Sequence, residues 1–193
     1  MNKKGKIIVV AAPSGCGKST IINALLETGD MNLGFAVSAT TRPPREGEAD
    51  GVNYYFMSEE AFREAIAEDE FVEYEEVYPG RFYGTLRSEI ERITNAGHNI
   101  ILDLDVNGAL GVKRIYGDEA LTIFIEPPSI DELRRRLVFR GTETPEVIDV
   151  RVDRAQYEMS RAAEFDRRVV NDRLDKAINE TRNLIGGFIA LSR

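Results

Sequence analysis

The segment at positions 6–20, KIIVVAAPSGCGKST, constrains the fold more than any other part of the chain. The apolar run at 7–12 is short, continuous and rich in β-branched residues, which is typical of a strand buried on both faces of a parallel sheet. Apolar residues then recur at helical spacing from position 21 to 26, which predicts a helix from Lys18 to just before Gly29. A strand, a glycine-rich loop and a helix in this order predict a loop that holds phosphate groups.

The loop and the start of the helix contain the groups that such a site needs. Successive backbone N–H groups of a phosphate loop point at phosphate oxygens, and the N-terminus of the helix favours negative charge. Lys18 adds a point charge, and the hydroxyl of Ser19 can bind Mg²⁺. The predicted nucleotide-phosphate site is formed by Ala12, Pro13, Ser14, Gly15, Cys16, Gly17, Lys18, Ser19 and Thr20.

One glycine of the usual pattern is missing from this loop. The pattern Gly-x-x-x-x-Gly-Lys-Ser/Thr places a glycine at position 12, where this chain has Ala12. Alanine fits easily if its φ angle is negative, whereas a positive φ would cost roughly 1 kcal/mol. Because Pro13 biases the preceding residue toward extended geometry, we expect a negative φ and a functional loop.

The composition is typical of one compact α/β unit with an acidic surface. The chain has 193 residues, 42% of them hydrophobic, and a formal net charge of −8. Indiscriminate binding to nucleic acid or to an acidic membrane is therefore not expected. The single cysteine, Cys16, fits a reducing compartment, and the first apolar run is too short for a signal peptide. We expect a cytoplasmic protein, monomeric or homodimeric.

Strand and helix patterns alternate in the rest of the chain. Further strands are predicted at 98–104, 121–125 and 168–170, and helices at 131–140, 145–165 and 174–191. This alternation predicts a parallel sheet covered by helices on both faces.

The segment at 38–96 differs from this pattern. It is rich in tyrosine, glycine and acidic residues, and strand patterns at 54–57 and 71–77 flank a helical pattern at 59–68. We interpret it as an inserted, mixed α/β subdomain.

Acidic residues at the end of the 98–104 strand predict the second part of the phosphate site. Asp103 lies where the apolar run ends, where a carboxylate can organise Mg²⁺, in part through water. Asp105 follows two residues later, on the same side of an extended chain. A turn at a strand end is the alternative interpretation of both. His98, the only histidine, is interpreted as a solvated strand start.

Two arginines mark the start of the inserted segment. Arg42 and Arg45 are separated by two prolines, which stiffen the backbone, and Tyr54 lies nearby in the sequence. Two guanidinium groups and a phenol suit a phosphate dianion. A basic turn on a solvent-facing loop is the alternative interpretation.

The stretch at 38–56, SATTRPPREGEADGVNYYF, resembles the signature of the guanylate kinases, and the resemblance extends from Ala12 to the last helix. It implies a P-loop NTPase-type parallel sheet flanked by helices, with a core at 1–37, 97–129 and 163–193. It also implies a GMP-binding subdomain at 38–96 and a helical lid at 130–162. The implied reaction transfers the γ-phosphoryl group of Mg-ATP to GMP, and to dGMP as well, with ADP and GDP as the products from GMP.

The resemblance also implies roles for individual residues. The GMP phosphate is assigned to Arg42, Arg45, Tyr54 and Tyr83, and the guanine to Ser38, Glu73 and Thr85, with Asp103 and Asp105 also in the GMP site. Guanine presents two adjacent donors that a carboxylate accepts together, and a buried acceptor left unpaired rejects adenine. Spacing alone does not single out Glu73 among its acidic neighbours at 70, 75 and 76.

The segment at 140–144, RGTET, resembles the lid motif of the same family. Lid arginines of such enzymes close over the phosphates and neutralise charge in the transition state. The residues expected to be catalytic are Lys18, Arg42, Arg136, Arg140 and Arg151. Arg136, Arg140, Asn171 and Asp172 are also assigned to the ATP site, and Arg135 is interpreted as part of a surface ion pair with Glu132 or Asp131.

Two alternatives remain open at this point. Another nucleoside monophosphate kinase would share the loop and the lid, but it has no reason to carry the 38–56 signature. A related interaction module without catalysis should have a degraded loop and lid. This chain, in contrast, keeps Lys18, Ser19, Asp103, Arg140 and Arg151.

Overall fold

The computed structural model describes residues 4–141 and 144–191, without the side chain of Arg140. The predicted lid motif at 140–144 therefore lies partly outside the described residues. In chain order the elements are β1 (Ile7–Ala11), α1 (Lys18–Thr28), β2 (Leu33–Phe35), β3 (Ala39–Thr40), β4 (Tyr55–Phe56), α2 (Glu59–Ala67), β5 (Phe71–Tyr78), β6 (Arg81–Leu86), α3 (Arg87–Asn95), β7 (Asn99–Asp103), α4 (Val106–Tyr116), β8 (Ala120–Glu126), α5 (Ile130–Arg140), α6 (Pro145–Ser160), β9 (Arg167–Val170) and α7 (Leu174–Ala190).

A parallel sheet places the ends of β1 and β7 side by side. Its strands run in the order β2-β7-β1-β8-β9, and Val10 lies opposite Asp103 in the register of β1 with β7. Because the carboxyl ends of parallel strands meet at one edge of a sheet, the loop after β1 lies beside Asp103. The prediction of a parallel sheet flanked by helices is confirmed.

All five residues of β1 are buried, which explains its unbroken apolar sequence. Ile8 and Val10 pack in a cluster with residues of α1, α5, α6 and α7. Ile7 and Val9 pack on the other face with residues of α3 and α4. Successive strand residues point to opposite faces, so one strand contributes to two cores and anchors the loop that follows it.

A second, mixed sheet forms within the segment at 38–96. Its strands run in the order β4-β3-β6-β5, and Phe62 of α2 stacks on Phe71 and Phe82 with ring centroids 4.3 and 5.3 Å apart. In contrast, α3 packs Ile90 and Ile93 into the core of the parallel sheet. This helix therefore contacts the parallel sheet, and the subdomain boundary at residue 96 stays a prediction.

Several elements have no clear pattern in the sequence. β2 and β3 have three and two residues, too few to show a period. The strand pattern of β6 is interrupted in the sequence by Gly84. An added Cβ at this position would lie 2.8 Å from the carbonyl oxygen of Glu73. α4 contains Gly108 and Gly111, which weaken a helical pattern. The helix predicted at 145–165 ends at Ser160, and a 3₁₀ turn follows at Ala162–Glu164.

Within the described residues, no helix is both long and apolar enough to cross a bilayer.

Candidate active site

The phosphate loop has the backbone conformation that its glycines allow. Gly15 and Gly17 have φ angles of 95° and 84°, in the left-handed region that favours glycine. Ala12 is not among the described residues with positive φ, so alanine replaces the usual glycine without backbone strain. Gly17 is the N-cap of α1, which places the loop at the positive end of the helix dipole.

The same two glycines also make room for neighbouring side chains. A Cβ on Gly17 would lie 2.7 Å from the side-chain nitrogen of Asn171, and a Cβ on Gly15 would lie 3.0 Å from Leu137. The buried side chain of Asn171 donates a hydrogen bond to the carbonyl oxygen of Cys16 over 2.8 Å. Asn171, predicted near the adenine, therefore fastens the phosphate loop to the end of β9.

Lys18 connects the phosphate loop to the end of β7. Its ammonium group forms an ion pair with Asp103 and donates a hydrogen bond to the carbonyl oxygen of Leu104 over 3.1 Å. The order of the parallel strands brings these groups together from distant parts of the sequence. A phosphate in the loop would share the ammonium group with Asp103.

Ser19 and Asp103 offer oxygen ligands at one edge of the same cleft. Hydroxyl and carboxylate oxygens suit Mg²⁺, which usually keeps several waters and takes further ligands from substrate phosphates. Among residues 4–141 and 144–191 no group of three or more His, Cys, Asp or Glu side chains could hold a metal ion by itself. The hydroxyl of Ser19 and the carboxylate of Asp103 are oxygen donors of the kind that Mg²⁺ prefers.

The loop lines a cleft of about 920 Å³ whose opposite wall is α6, and we call it the donor cleft. The lining residues of α6 recur at every turn of the helix, which places them on one helix face: Glu146, Val147, Val150, Arg151, Arg154 and Glu158. Arg151 donates a hydrogen bond to the hydroxyl of Ser14, as expected for a lid arginine near the phosphates.

Arg154 and Glu158 are cleft residues that the sequence analysis missed. The Nε of Arg154 donates to Glu158 over 3.0 Å, and its Nη2 lies 3.8 Å from a carboxylate oxygen of Asp105. Burial raises the pKa of Glu158, and the hydrogen bond from Arg154 opposes that effect. The helical spacing from Arg151 was the signal that could have found both residues.

The other lid and ATP-site predictions have different surroundings. Arg136 does not line the donor cleft. Its guanidinium donates to the carbonyl oxygen of Asn171 and to Glu132, over 3.0 and 2.9 Å. Asp172 follows at an exposed position. Arg135 forms an ion pair with Glu132 at 2.6 Å, so the surface interpretation of this residue is confirmed. The side chain of Arg140 lies outside the described residues.

A second cleft, of about 790 Å³, lies between the mixed sheet and α4, and we call it the acceptor cleft. Six of the residues predicted to bind GMP line it: Ser38, Tyr54, Glu73, Tyr83, Asp103 and Asp105. Thr85 does not line it, but its hydroxyl donates to the carboxylate of Glu73 over 2.7 Å. The structure thus brings together the group predicted to read guanine.

Glu73 differs from its acidic neighbours on β5. Burial raises the pKa of its carboxyl, the hydrogen bond from Thr85 lowers it, and the negative charge of Asp105 raises it further. Glu75 also lines the cleft, but its side chain is exposed. A half-buried carboxylate with one oxygen oriented by Thr85 can accept two adjacent donors from a planar base.

Arg42 is buried beside the acceptor cleft and paired with Glu48, which the sequence analysis did not assign to the site. Its guanidinium donates to both carboxylate oxygens of Glu48, over 2.8 and 2.9 Å, and lies 5.2 Å from the ring centre of Tyr54. This pair, with a hydrogen bond from the backbone of Arg45, lowers the pKa of Glu48 to about 2. Glu48 lies in the same signature as Arg42, six residues later, which was the available signal.

β7 ends at Asp103, and the backbone of Asp105 is still extended, as the sequence analysis expected. Asp105 is the N-cap of α4, and its Oδ1 accepts a hydrogen bond from the backbone N–H of Gly108 over 2.7 Å. Its carboxylate faces the site, because Asp103 and Asp105 line both clefts. The wall between the clefts is therefore acidic, with cations from the loop and from α6 on one side of it.

Comparisons with known proteins agree with this geometry. The family model described as Guanylate kinase matches residues 4–186. A guanylate kinase of Bacteroides fragilis is 51% identical over 97% of this chain and 92% of its own length. A guanylate kinase of Porphyromonas gingivalis is 53% identical over 96% of this chain and 98% of its own. The crystal structure of guanylate kinase from Anaplasma phagocytophilum superposes with a TM-score of 0.70 at 32% identity, covering 97% of this chain and 87% of that one.

Proposed function

This chain belongs to the guanylate kinase family, and from that premise we propose how its residues divide the work of phosphoryl transfer. The chain is an ATP:GMP phosphotransferase, which converts ATP and GMP to ADP and GDP. The observation that carries the proposed division is the shared wall of Asp103 and Asp105, which lies between a phosphate loop and a cleft containing Glu73.

On the donor side, the phosphate loop binds the phosphates of ATP. Its backbone N–H groups and the N-terminus of α1 surround the phosphate oxygens, and Lys18 moves with the transferred group from the donor toward the acceptor. Arg151 neutralises charge on the phosphates from the lid, which its contact with Ser14 supports. Arg136 binds the backbone of Asn171, and the side chain of Asn171 binds the phosphate loop. The two residues thereby position the end of β9, which we place beside the adenine.

On the acceptor side, Glu73 accepts the two adjacent donors of guanine, with Ser38 and Thr85 beside it. Arg42, Arg45, Tyr54 and Tyr83 hold the phosphate of GMP. The ring of Tyr54 lies 5.2 Å from the guanidinium of Arg42 and 5.9 Å from the ring of Tyr83, which supports one phosphate-binding group. The acceptor phosphate is already anionic, so the residues need to align it and to neutralise charge, and no strong general base is required.

Ser19 and Asp103 would hold Mg²⁺ in this proposal, Asp103 in part through water. A bound ion would supply neutralisation of the negative charge on the phosphates of ATP. Asp103 also orients Lys18, because the two side chains form an ion pair. Asp103→Asn should therefore weaken both the response to Mg²⁺ and the placement of the lysine.

The test of this function is ADP production from Mg-ATP with GMP, AMP, CMP and UMP as separate acceptors. We expect turnover with GMP and little with the other three, because only guanine offers adjacent donors to Glu73. Turnover with another nucleotide and none with GMP would contradict the assignment of the acceptor cleft. Binding of GMP without any turnover would instead favour an interaction module that has lost catalysis.

A further inference from the structure

The lid helix α6 presents two arginines to the donor cleft, one helical turn apart. Arg151 contacts the phosphate loop through Ser14. Arg154 points to the other side, toward Asp105 in the wall that both clefts share. A single rigid helix therefore contacts the donor half and the acceptor half of the site at the same time.

The position of the Arg154 guanidinium is set from its own helix. Its Nε donates to Glu158 over 3.0 Å, at the i,i+4 spacing of a helix face. Glu158 is buried, with 7% of its surface exposed, so this anchor is held by the packing of α6. Arg154 thus projects from a fixed point and reaches Asp105 with Nη2.

Asp105 transmits this contact to the acceptor cleft. One carboxylate oxygen accepts from the backbone N–H of Gly108, at the start of α4. An added Cβ on Gly108 would lie only 3.5 Å from the Cβ and Cγ of Glu73, so the guanine-reading side chain packs on the turn that Asp105 caps. Two contacts connect the lid helix to the base-reading carboxylate: Arg154 with Asp105, and the capped turn with Glu73.

We propose that Arg154 is a positioning residue that couples the lid helix to occupation of the acceptor site. The proposal rests on the function given above. At 3.8 Å, and with 61% of the Arg154 side chain exposed, the pair with Asp105 is weak in the present arrangement. When GMP fills the acceptor cleft and excludes water, the same pair strengthens, and α6 is held more firmly against the phosphate loop that Arg151 already contacts. A difference in contact strength between two states is what coupling requires.

The consequence is that GMP and an ATP analogue bind more tightly together than alone, and that Arg154 carries a large share of this effect. The test measures the Kd of a non-hydrolysable ATP analogue with Mg²⁺, with and without saturating GMP, by calorimetry. For the unmodified chain we expect GMP to tighten binding by about fivefold to tenfold, within the usual range of coupling between sites.

Three variants separate coupling from a general effect on the lid. Arg154→Met keeps the apolar stem and should reduce the ratio of the two Kd values to about one, whereas Arg154→Lys keeps a charge and should retain part of the ratio. Arg134→Met is the matched control, since Arg134 pairs with Asp149 on the outer side of the same lid and lines neither cleft. It should leave the ratio unchanged.

A double-mutant cycle identifies the partner. If Asp105→Asn lowers the ratio and adding Arg154→Met lowers it no further, the two residues act as one unit. An unchanged ratio in Arg154→Met, an equal loss in Arg134→Met, or no coupling in the unmodified chain would each overturn the inference. Turnover of GMP by the unmodified chain is measured separately, so a failure of the coupling and a failure of the kinase assignment are distinguishable.

Discussion

The donor and acceptor halves of the site differ in the kind of chemical group that each offers to a substrate. The donor half is a loop of consecutive residues on a fully buried strand, and its binding groups are mainly backbone N–H donors held by Gly15 and Gly17. The acceptor half is made of side chains from several strands of a small sheet, held by contacts such as Thr85 to Glu73 and Arg42 to Glu48.

This difference predicts opposite responses to substitution. A site made of backbone groups tolerates a change of side chain wherever φ and space allow it, as Ala12 shows. A site made of side chains depends on the charge and shape of each one, and Glu73 and Arg42 are themselves oriented by neighbouring side chains. The following four predictions test this contrast, from the largest expected effect to the smallest.

Lys18→Met tests the charged side chain of the phosphate loop. Removal of a preorganised positive charge from the transferring phosphoryl group should lower kcat by about 10²–10³-fold. Binding of GMP, measured by calorimetry, should remain close to that of the unmodified chain, because Lys18 lines only the donor cleft. Lys4→Met, which removes an exposed pair with Glu119, is the control. A kcat within tenfold of the original would refute the role of Lys18.

Glu73→Gln tests the base-reading group of the acceptor half. An amide keeps the size of the side chain but can accept from only one of the two guanine donors, so kcat/KM for GMP should fall by about 10²-fold. Turnover should be measured with all four nucleoside monophosphates, and the exposed Glu70→Gln on the adjoining turn is the control. If the Glu73 variant still prefers GMP, a residue other than Glu73 recognises guanine.

Because the pKa of Glu73 is raised, the difference in activity between the unmodified chain and this variant should depend on pH. Burial raises that pKa above the ordinary value of 4.5, so protonation removes the acceptor at a higher pH than for an exposed glutamate. The advantage of the unmodified chain in kcat/KM should therefore shrink as the pH falls. The stability of the fold depends on pH in the opposite direction. The raised pKa of Glu73 stabilises the folded state below pH 4.5, and this contribution is lost as the pH rises through the raised pKa. Glu73→Gln should therefore raise Tm at neutral pH.

Glu48→Gln tests whether side chains of the acceptor half need their neighbours. With the bidentate pair weakened, Arg42 is less well oriented, and KM for GMP should rise by about tenfold while kcat changes less. The stability contribution of Glu48 is present above its ordinary pKa of 4.5 and is lost as the pH falls toward about 2. The Tm of the variant should be lower at neutral pH and should approach that of the unmodified chain in this acid range.

The exposed Glu46→Gln, two positions away in the same loop, is the matched control for Glu48. An equal rise in KM for both variants would show that the loop responds to charge in general. A constant difference in Tm down to about pH 2 would show that the pair with Arg42 does not determine the pKa of Glu48.

Ala12→Gly tests the tolerance of the donor half and should have the smallest effect. Since Ala12 is not among the described residues with positive φ, glycine brings no conformational advantage, and kcat/KM should change by less than about twofold. Stability should decrease by about 0.5–1 kcal/mol, because glycine loses more backbone entropy on folding. Urea unfolding and the same kinase assay measure both. A large gain in kcat would show that alanine distorts the loop.

The sequence predicted the large sheet well and the small one only in part. β1 is a continuous apolar run, and the middle residues of β7 and most of β8 are apolar and buried, so their strands were visible in the sequence. The short strands β2 and β3 have too few residues to show a period, and glycines mask β6 and α4. These elements depend on pairing with distant strands, which no local pattern records.

The sequence by itself determined the donor cradle, because a loop of consecutive backbone N–H groups is local in the chain and its glycines and lysine follow one another. Only the tertiary structure decided which acid pairs with Lys18, which glutamate of β5 is partly withdrawn from solvent, and that Arg154 reaches Asp105. These contacts join residues far apart in the sequence, and their strength depends on burial and distance. Both quantities exist only once the strands are paired and α6 is packed against the loop.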